Sequence, residues 1–358
     1  MSDAGSSPAV AALPASVLRA FALDRDGLRR SPAGHLNETW FARRGVDAVV
    51  VQRLNATVFA DPSRLMANMV AVTAAVGADP GAAVRTVALV AASDGAPYVV
   101  DDGQVWRCYG YVEGRAPDLV DRAEGVVAAR AFGAFDRALR SLPADALVPT
   151  IAGFHDLRGR WAQHLAAREA DRAGRALAAQ RDLVRADRLV ERLDALPERV
   201  AWDAAPARLV HNDAKPANLV LAGRRAPCVL DLDTTMPGPL LADIGQLVRS
   251  LVRERLAAGR GAPDASSFSA LWRGFLAGWD TPLDPPEVDA LAVAGLFLSV
   301  ENAVRALTDH LDGDVYFRGG RPGRNLKRFR DDAAGAEAQL AQLDRLRSAA
   351  ATLTSRRS

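Results

Sequence analysis

The chain has 358 residues, 49% of them hydrophobic and 25% charged, the composition of a globular protein long enough for one large domain or two smaller ones. Its formal net charge is +2, with basic residues interleaved among acids, which excludes the clustered cationic footprint of a nucleic-acid surface. Of its 45 basic residues only Lys215 and Lys327 are lysines, which excludes lysine-dependent chemistry from the first 200 residues.

In chain order, Gly34-His-Leu-Asn-Glu-Thr-Trp-Phe reads as a turn leading into a strand, and Val46 to Leu54 as a strand. Asp61-Pro62 opens a helix as N-cap and first helical residue, and Leu65, Met69, Val72 and Val76 follow at helical spacing. Val84 to Ala91 is strand-like, and Tyr98 to Trp106 reads as a hairpin around Asp102-Gly103. From about residue 114 helices dominate: 121–142, much of 156–196, 239–256, 266–279, 286–311 and 325–347. A short β segment at 208–233 interrupts them, and the tail Thr352 to Ser358 reads as frayed. The expected fold is α+β, with a sheet-containing N-terminal lobe (1–112) and a larger, mostly helical C-terminal lobe (113–358).

Cys108 and Cys228 form no spaced pair, so neither a disulfide framework nor a cysteine zinc site is expected. No apolar run reaches the roughly 18–20 residues a membrane span needs. The first 20 residues lack a basic n-region and are broken by Pro8 and Pro14, so the expected location is the cytoplasm.

The segment richest in chemistry is Leu209-Val-His-Asn-Asp-Ala-Lys-Pro-Ala-Asn-Leu-Val-Leu, followed by Cys228-Val-Leu-Asp-Leu-Asp. An apolar run leads into His211-Asn-Asp213, Asn218 comes five residues after Asp213, and a second apolar strand ends at Asp231. Amide and carboxylate oxygens at one end of a small sheet suit Mg²⁺, a hard cation that binds with substrate phosphates. A remaining carboxylate, Asp213, can take the proton of an attacking hydroxyl, and Lys215 falls two residues after it. This spacing is that of a kinase catalytic loop. His211 reads as a structural residue that holds the loop.

With these motifs the sequence resembles the aminoglycoside phosphotransferase and choline kinase superfamily, which has a protein-kinase-like two-lobed fold. A narrower resemblance is to N-acetylhexosamine 1-kinases, which phosphorylate the anomeric hydroxyl of an amino sugar. It is carried by Gly34-His-Leu-Asn-Glu-Thr, Val51-Gln-Arg-Leu-Asn with Val58-Phe, His211 to Lys215, Asp231-Leu-Asp-Thr-Thr-Met-Pro-Gly with Asp243-Ile-Gly, and Arg305-Ala-Leu-Thr-Asp with Gly313-Asp-Val-Tyr-Phe. The resemblance implies ATP and Mg²⁺ as cofactors and a small-molecule acceptor, with no nucleic-acid or membrane partner. It implies Asp213 as catalytic base, assisted by Lys215, with Asn218 and Asp231 as Mg²⁺ ligands and Asp233 as a helper. Asp243 would buttress the loop. Arg305, Tyr316 and His35 would contact the sugar, and Gly34 and Asn37 would lie over the phosphates. The backbone of Tyr111 to Glu113 would bind adenine. The alternative is a kinase of another small alcohol, such as an aminoglycoside or a choline-like compound.

One departure from the kinase pattern stands out. The strand that should carry a phosphate-gripping lysine offers Gln52 and Arg53 instead, and strand alternation lets only one of them point inward. The register of the resemblance favours Gln52 and electrostatics favours Arg53. The helix from Pro62 to Val76 lacks an acid, so both halves of the kinase Lys–Glu pair are absent. Glu301, Arg305 and Asp309, four apart on one helix, form either an exposed ion-pair ladder or a set that orients Arg305.

Overall fold

The computed structural model describes residues 13–31, 37–79, 81, 83–316 and 323–355. It is a mixed α+β structure whose contacts divide into two units, residues 1–66 with 87–112, and residues 67–86 with 113–358.

In the first unit, helix α1 (Ala15–Ala20) accompanies strands β1 (Arg29–Arg30), β2 (Glu38–Arg44) and β3 (Asp47–Arg53). Helix α2 (Pro62–Ala78) begins here and continues into the second unit. Strand β4 (Arg85–Thr86) precedes β5 (Val99–Asp101) and β6 (Gln104–Gly110). Among the described residues, five strands form an antiparallel sheet in the order β1-β2-β3-β6-β5. The β5–β6 hairpin turns at Asp102-Gly103, both with positive φ (47° and 70°), the conformation this dipeptide tolerates. Strand alternation sends Trp40, Ala42, Val49, Val51, Trp106 and Cys108 to one face, where Val17 and Leu18 of α1 and Phe21 at its C-cap cover them. The opposite face carries Gln52, which pairs with Arg107 across β3 and β6.

The second unit is mainly helical: α3 (Arg122–Leu139), α4 (Leu157–Ala170), α5 (Gln180–Asp194), α6 (Glu198–Ala204), then α7 (Leu240–Ala257), α8 (Ala265–Trp279), α9 (Pro285–Ala290), α10 (Ala294–Leu311), α11 (Arg324–Leu340) and α12 (Leu343–Thr354). Between α6 and α7 lie β7 (Ala207–Val210), β8 (Leu219–Val220), β9 (Cys228–Val229) and β10 (Met236–Pro239). β10 pairs antiparallel with β7, while β4, β9 and β8 form a separate small sheet. Asp121 caps α3 by accepting the N–H groups of Ala123 and Glu124 at 2.8 and 3.1 Å. Helices α3 and α8 approach so closely that a Cβ at Gly133 would collide with the Phe275 carbonyl oxygen, and one at Gly278 with that of Arg130.

Several expected elements divide. Val84 to Ala91 is not one strand: Arg85–Thr86 pairs with β9 in the second unit, whereas Leu89 bridges Tyr109 in the first. The helix expected over 286–311 is interrupted by a 3₁₀ turn, Leu291–Val293. The one expected over 325–347 breaks between Leu340 and Leu343, and α12 runs through Thr354, where fraying was expected. The segment Pro285–Leu311 is long and apolar enough to cross a membrane, with mean hydropathy 1.5, but 89% of its most apolar stretch is buried inside the protein. It packs as a core helix against α4, α7 and α11.

Candidate active site

The loop after β7 is pinned from below by two carboxylates. Asp243, in the first turn of α7, accepts the backbone N–H of His211 at 2.8 Å and that of Ala214 at 3.2 Å. Asp136, on α3, accepts the same His211 N–H at 3.2 Å. Both carboxylates are completely buried. Burial and the neighbouring Asp243 push the Asp136 carboxyl well above the usual carboxylate range, and burial also raises Asp243. Asp136 Oδ2 meets no N–H or O–H donor among the described residues, and its raised carboxyl favours the protonated form, which can donate to Asp243. Asp136 was not singled out from the sequence.

The loop is also tied from its sides. The His211 ring bridges to Leu230 O at 2.9 Å through Nε2, and its Nδ1 accepts the Asp213 N–H at 3.2 Å, which fixes the Nε2–H tautomer. This is the structural role expected for it. Asn212, in the left-handed region at φ 64°, donates its amide hydrogens to Thr234 O and Met236 O, both at 3.1 Å. His155 meets Asn212 O at 2.9 Å.

On this platform three of the sequence candidates touch. The Lys215 ammonium donates to Asp213 Oδ2 at 2.5 Å, and the Asn218 amide donates to Asp213 O and Oδ2, both at 3.0 Å. Burial pushes the Asp213 carboxyl up, but the Lys215 charge and these hydrogen bonds outweigh it and hold the group below its ordinary value. Burial likewise works against the Lys215 ammonium, and Asp213 and Asp231 outweigh it. Asp213 is thus ionised and aimed at neutral pH.

Because the Asn218 amide hydrogens go to Asp213, its carbonyl oxygen faces elsewhere. Asp231, two residues past β9, is exposed and sits in the left-handed region (φ 55°, ψ 60°). Asp233 is buried in the following 3₁₀ turn, where its carbonyl accepts the Thr150 hydroxyl at 2.7 Å. The Asn218 amide and the Asp231 and Asp233 carboxylates each offer oxygen donors, the kind that suits Mg²⁺.

A cavity of about 150 Å³ lies at Arg305 and Tyr316, lined also by Arg160, Gln163 and Asp309. Glu301, Arg305 and Asp309 do not form an exposed ladder. Glu301 is fully buried and lies 3.4 Å from the Arg305 guanidinium, which donates to the Tyr316 hydroxyl at 3.3 Å. Phe154 and Tyr316 flank that guanidinium, 5.1 and 5.6 Å from their ring centres. Asp309 accepts the Tyr316 N–H at 2.7 Å and the Asn325 amide at 2.8 Å. Burial opposes the Arg305 charge, and Glu301 together with Tyr316 and, least, Asp213 more than restores it. Burial and the Arg305 charge lower the Arg160 pKa.

In the first unit, Arg107 is 2% exposed and donates through Nε and Nη2 to Gln52 Oε1 at 2.9 and 2.6 Å. Gln52 in turn donates to Thr39 at 3.0 Å. Arg53 pairs with Glu38 at the more exposed end of the strand. The buried cation beside Gln52 therefore comes from the neighbouring strand, a residue the sequence reading missed. Asn37 accepts the Asn55 N–H at 3.1 Å. Tyr111 is 49% exposed, its N–H donates to Ala48 O at 2.9 Å, and Glu113 begins the second unit as an exposed residue. Gly34 and His35 lie outside the described residues.

Residues 27–283 match a family model described as a phosphotransferase enzyme family. Solved structures with a similar fold include an aminoglycoside phosphotransferase from Alicyclobacillus acidocaldarius (18% identity, TM-score 0.63, covering 95% of this chain and 97% of that one). An amicoumacin kinase solved with AMP-PNP and Ca²⁺ is similar at 11% identity and TM-score 0.59, covering 91% and 92%. A choline kinase from Cryptosporidium parvum is similar at 12% identity and TM-score 0.56, covering 95% of each chain.

Proposed function

The chain belongs to the phosphotransferase enzyme family, and on that premise we propose that it is an ATP-dependent kinase acting on the anomeric hydroxyl of a free amino sugar, an N-acetylhexosamine. The observation that supports this most is the Asp213 carboxylate, clasped by Lys215 and Asn218 on a pinned loop. The acceptor hydroxyl gives its proton to Asp213 as its oxygen bonds to the γ-phosphorus and the bond from that phosphorus to the leaving ADP oxygen breaks. Lys215 offsets charge on the phosphoryl group in transfer. Asn218 and Asp231, with Asp233 behind them, would hold Mg²⁺, which when bound supplies positive charge to the phosphates. Arg107, held by Gln52, provides the first unit's cation for phosphate, and the 111–113 backbone is assigned to adenine.

For the acceptor, Arg305 and Tyr316 offer a guanidinium fork and a hydroxyl to sugar oxygens. Arg160 and Arg305 face Asp309 and Asp312 in this cavity, but Asp309 already accepts from Tyr316 and Asn325 and Asp312 from Arg172, so the site weighs against a cationic acceptor such as an aminoglycoside or choline. The test is a screen of free N-acetylhexosamines, aminoglycosides and choline with Mg·ATP, read as ADP release. Turnover of kanamycin or choline but of no sugar would reject the sugar reading. In the same assay Asp213→Asn should abolish turnover while nucleotide still raises the melting temperature.

A further inference from the structure

One short turn before α4 touches both the Arg305 cavity and the catalytic loop. It runs from Gly153, in the left-handed region at φ 58°, to Asp156, which caps α4 by accepting the Gly159 N–H at 3.1 Å. The Asp156 N–H closes the turn on Gly153 O at 3.2 Å. Phe154 goes to the Arg305 guanidinium, which lies 5.1 Å from its ring centre. The next residue, His155, goes to the catalytic loop and meets Asn212 O at 2.9 Å. The two rings lie against each other with 4.6 Å between centres, and the His155 side chain is 4% exposed.

His155 grips the peptide bond that carries Asp213. The Asn212 carbonyl can only accept, so Nε2 of His155 bears the hydrogen between them. The N–H of the same peptide group, that of Asp213, donates to His211 Nδ1 at 3.2 Å. The unit joining Asn212 to Asp213 is therefore held between two imidazoles, one on its oxygen and one on its nitrogen. Asn212 itself is in the left-handed region at φ 64°, a conformation that is costly outside glycine and persists where neighbours enforce it. Behind the His155 ring stands Glu301. Its Oε2 is 3.8 Å from Nδ1, within ion-pair range but beyond a hydrogen bond, and its Oε1 is 3.4 Å from the Arg305 guanidinium. Burial pushes the Glu301 carboxyl up, but Arg305, His155 and Arg160 outweigh it and hold the group below its ordinary value.

We propose that His155 is a positioning residue for the Asp213 base, and that its turn fixes the base relative to the Arg305 cavity; this rests on the kinase reading above. The Asp213 carboxylate hangs from the Cα that follows the gripped peptide bond, so a tilt of that bond swings the carboxylate. Lys215 and Asn218 hold the carboxylate itself, but both belong to the same loop and move with it. Asp136 and Asp243 anchor the loop at the N–H groups of His211 and Ala214, on either side of this peptide bond. His155 reaches the bond from outside the loop, one residue from the ring that flanks Arg305. Cavity and base thus share one support.

Hydrogen–deuterium exchange over residues 209–219 reads the grip without turnover, and ADP release with Mg·ATP and the acceptor found in the screen reads its effect on the base. His155→Phe keeps a ring but removes the donor. Exchange should quicken in 209–219 and not in α10, and kcat should fall by about tenfold to a hundredfold. The acceptor and ATP KM values should each change by less than about threefold. His155→Gln, which offers an amide N–H near the place of Nε2, should return kcat to within about threefold of wild type and slow the exchange again. His155→Asn, whose shorter amide falls short of Asn212 O, should behave like His155→Phe and serves if that variant does not fold. Wild-type exchange in the folded Phe or Asn variant, or a raised acceptor KM with unchanged kcat, would overturn the proposal. Should no acceptor turn over with the wild type, the kinase reading fails, whereas the grip on the loop stands or falls by the exchange alone.

Discussion

Asp136→Asn separates the two carboxylates beneath the catalytic loop. In the wild type both accept the His211 N–H, at 3.2 and 2.8 Å, with no solvent exposure. Two such groups cannot both ionise, and burial with the Asp243 charge places the proton on Asp136. The folded pKa values of both are raised, so the folded chain binds more protons than the unfolded one. The pair's contribution is then fully present below the ordinary carboxylate range and is lost as pH rises through the folded values. A neutral amide at 136 reproduces the protonated acid: its N–H donates to Asp243 and its oxygen accepts from His211. Asp136→Asn should therefore stay within about 1 kcal/mol of wild type at pH 7 and show a flatter dependence of stability on pH. Asp243→Asn is different, because Asp243 accepts two backbone N–H groups, from His211 and Ala214, and an amide can accept only through its one oxygen. Leaving a buried donor unpaired there should cost roughly 2–5 kcal/mol, with loss of turnover. Urea unfolding followed by circular dichroism from pH 5 to 9, alongside ADP release, reads both effects. If Asp136→Asn is as damaging as Asp243→Asn, or keeps the wild-type pH slope, the shared proton is wrong.

Arg107→Met should raise the ATP KM by about tenfold or more, whereas Arg53→Ala, which breaks a half-exposed pair with Glu38, should change it less than about twofold; initial rates against ATP decide between them. Glu301→Ala leaves the Arg305 guanidinium buried without its acid and should destabilise by about 3–5 kcal/mol, read as a fall in melting temperature. Glu301→Gln, which keeps shape, should raise acceptor KM more than it lowers kcat. Gly133→Ala would force α3 off α8 and should cost about 1–3 kcal/mol in urea unfolding without a change in ATP KM.

The catalytic loop was legible because its chemistry is local. His211, Asp213, Lys215 and Asn218 lie within eight residues, and the strand ending at Asp231 follows in the same hairpin, so spacing alone brings them together. The same holds for Arg305 and Asp309, whose helical spacing fixes their common face. What spacing could not reveal was depth: the Glu301–Arg305–Asp309 row looks the same on an exposed helix and a buried one, and only the packing of α4, α7 and α11 around α10 makes it a core element. Asp136 reaches the loop from 75 residues away. Its one local signal is a lone acid between Phe132, Phe135 and Leu139 on an otherwise apolar helix face, a place where a carboxylate needs a partner.

The missing lysine follows the same logic. A search along β3 finds only Gln52 and Arg53, and the choice between them looks like a choice between register and charge. The sheet supplies a third answer, because a position in a strand has cross-strand neighbours as well as sequence neighbours. Gln52 stands opposite Arg107, and its amide oxygen takes two guanidinium hydrogens. The acid absent from α2 is then no defect: a carboxylate there would serve to hold a lysine on β3, and here Gln52 holds the cation instead. On the proposed kinase reading, the charge missing from β3 is supplied from the adjacent strand by Arg107.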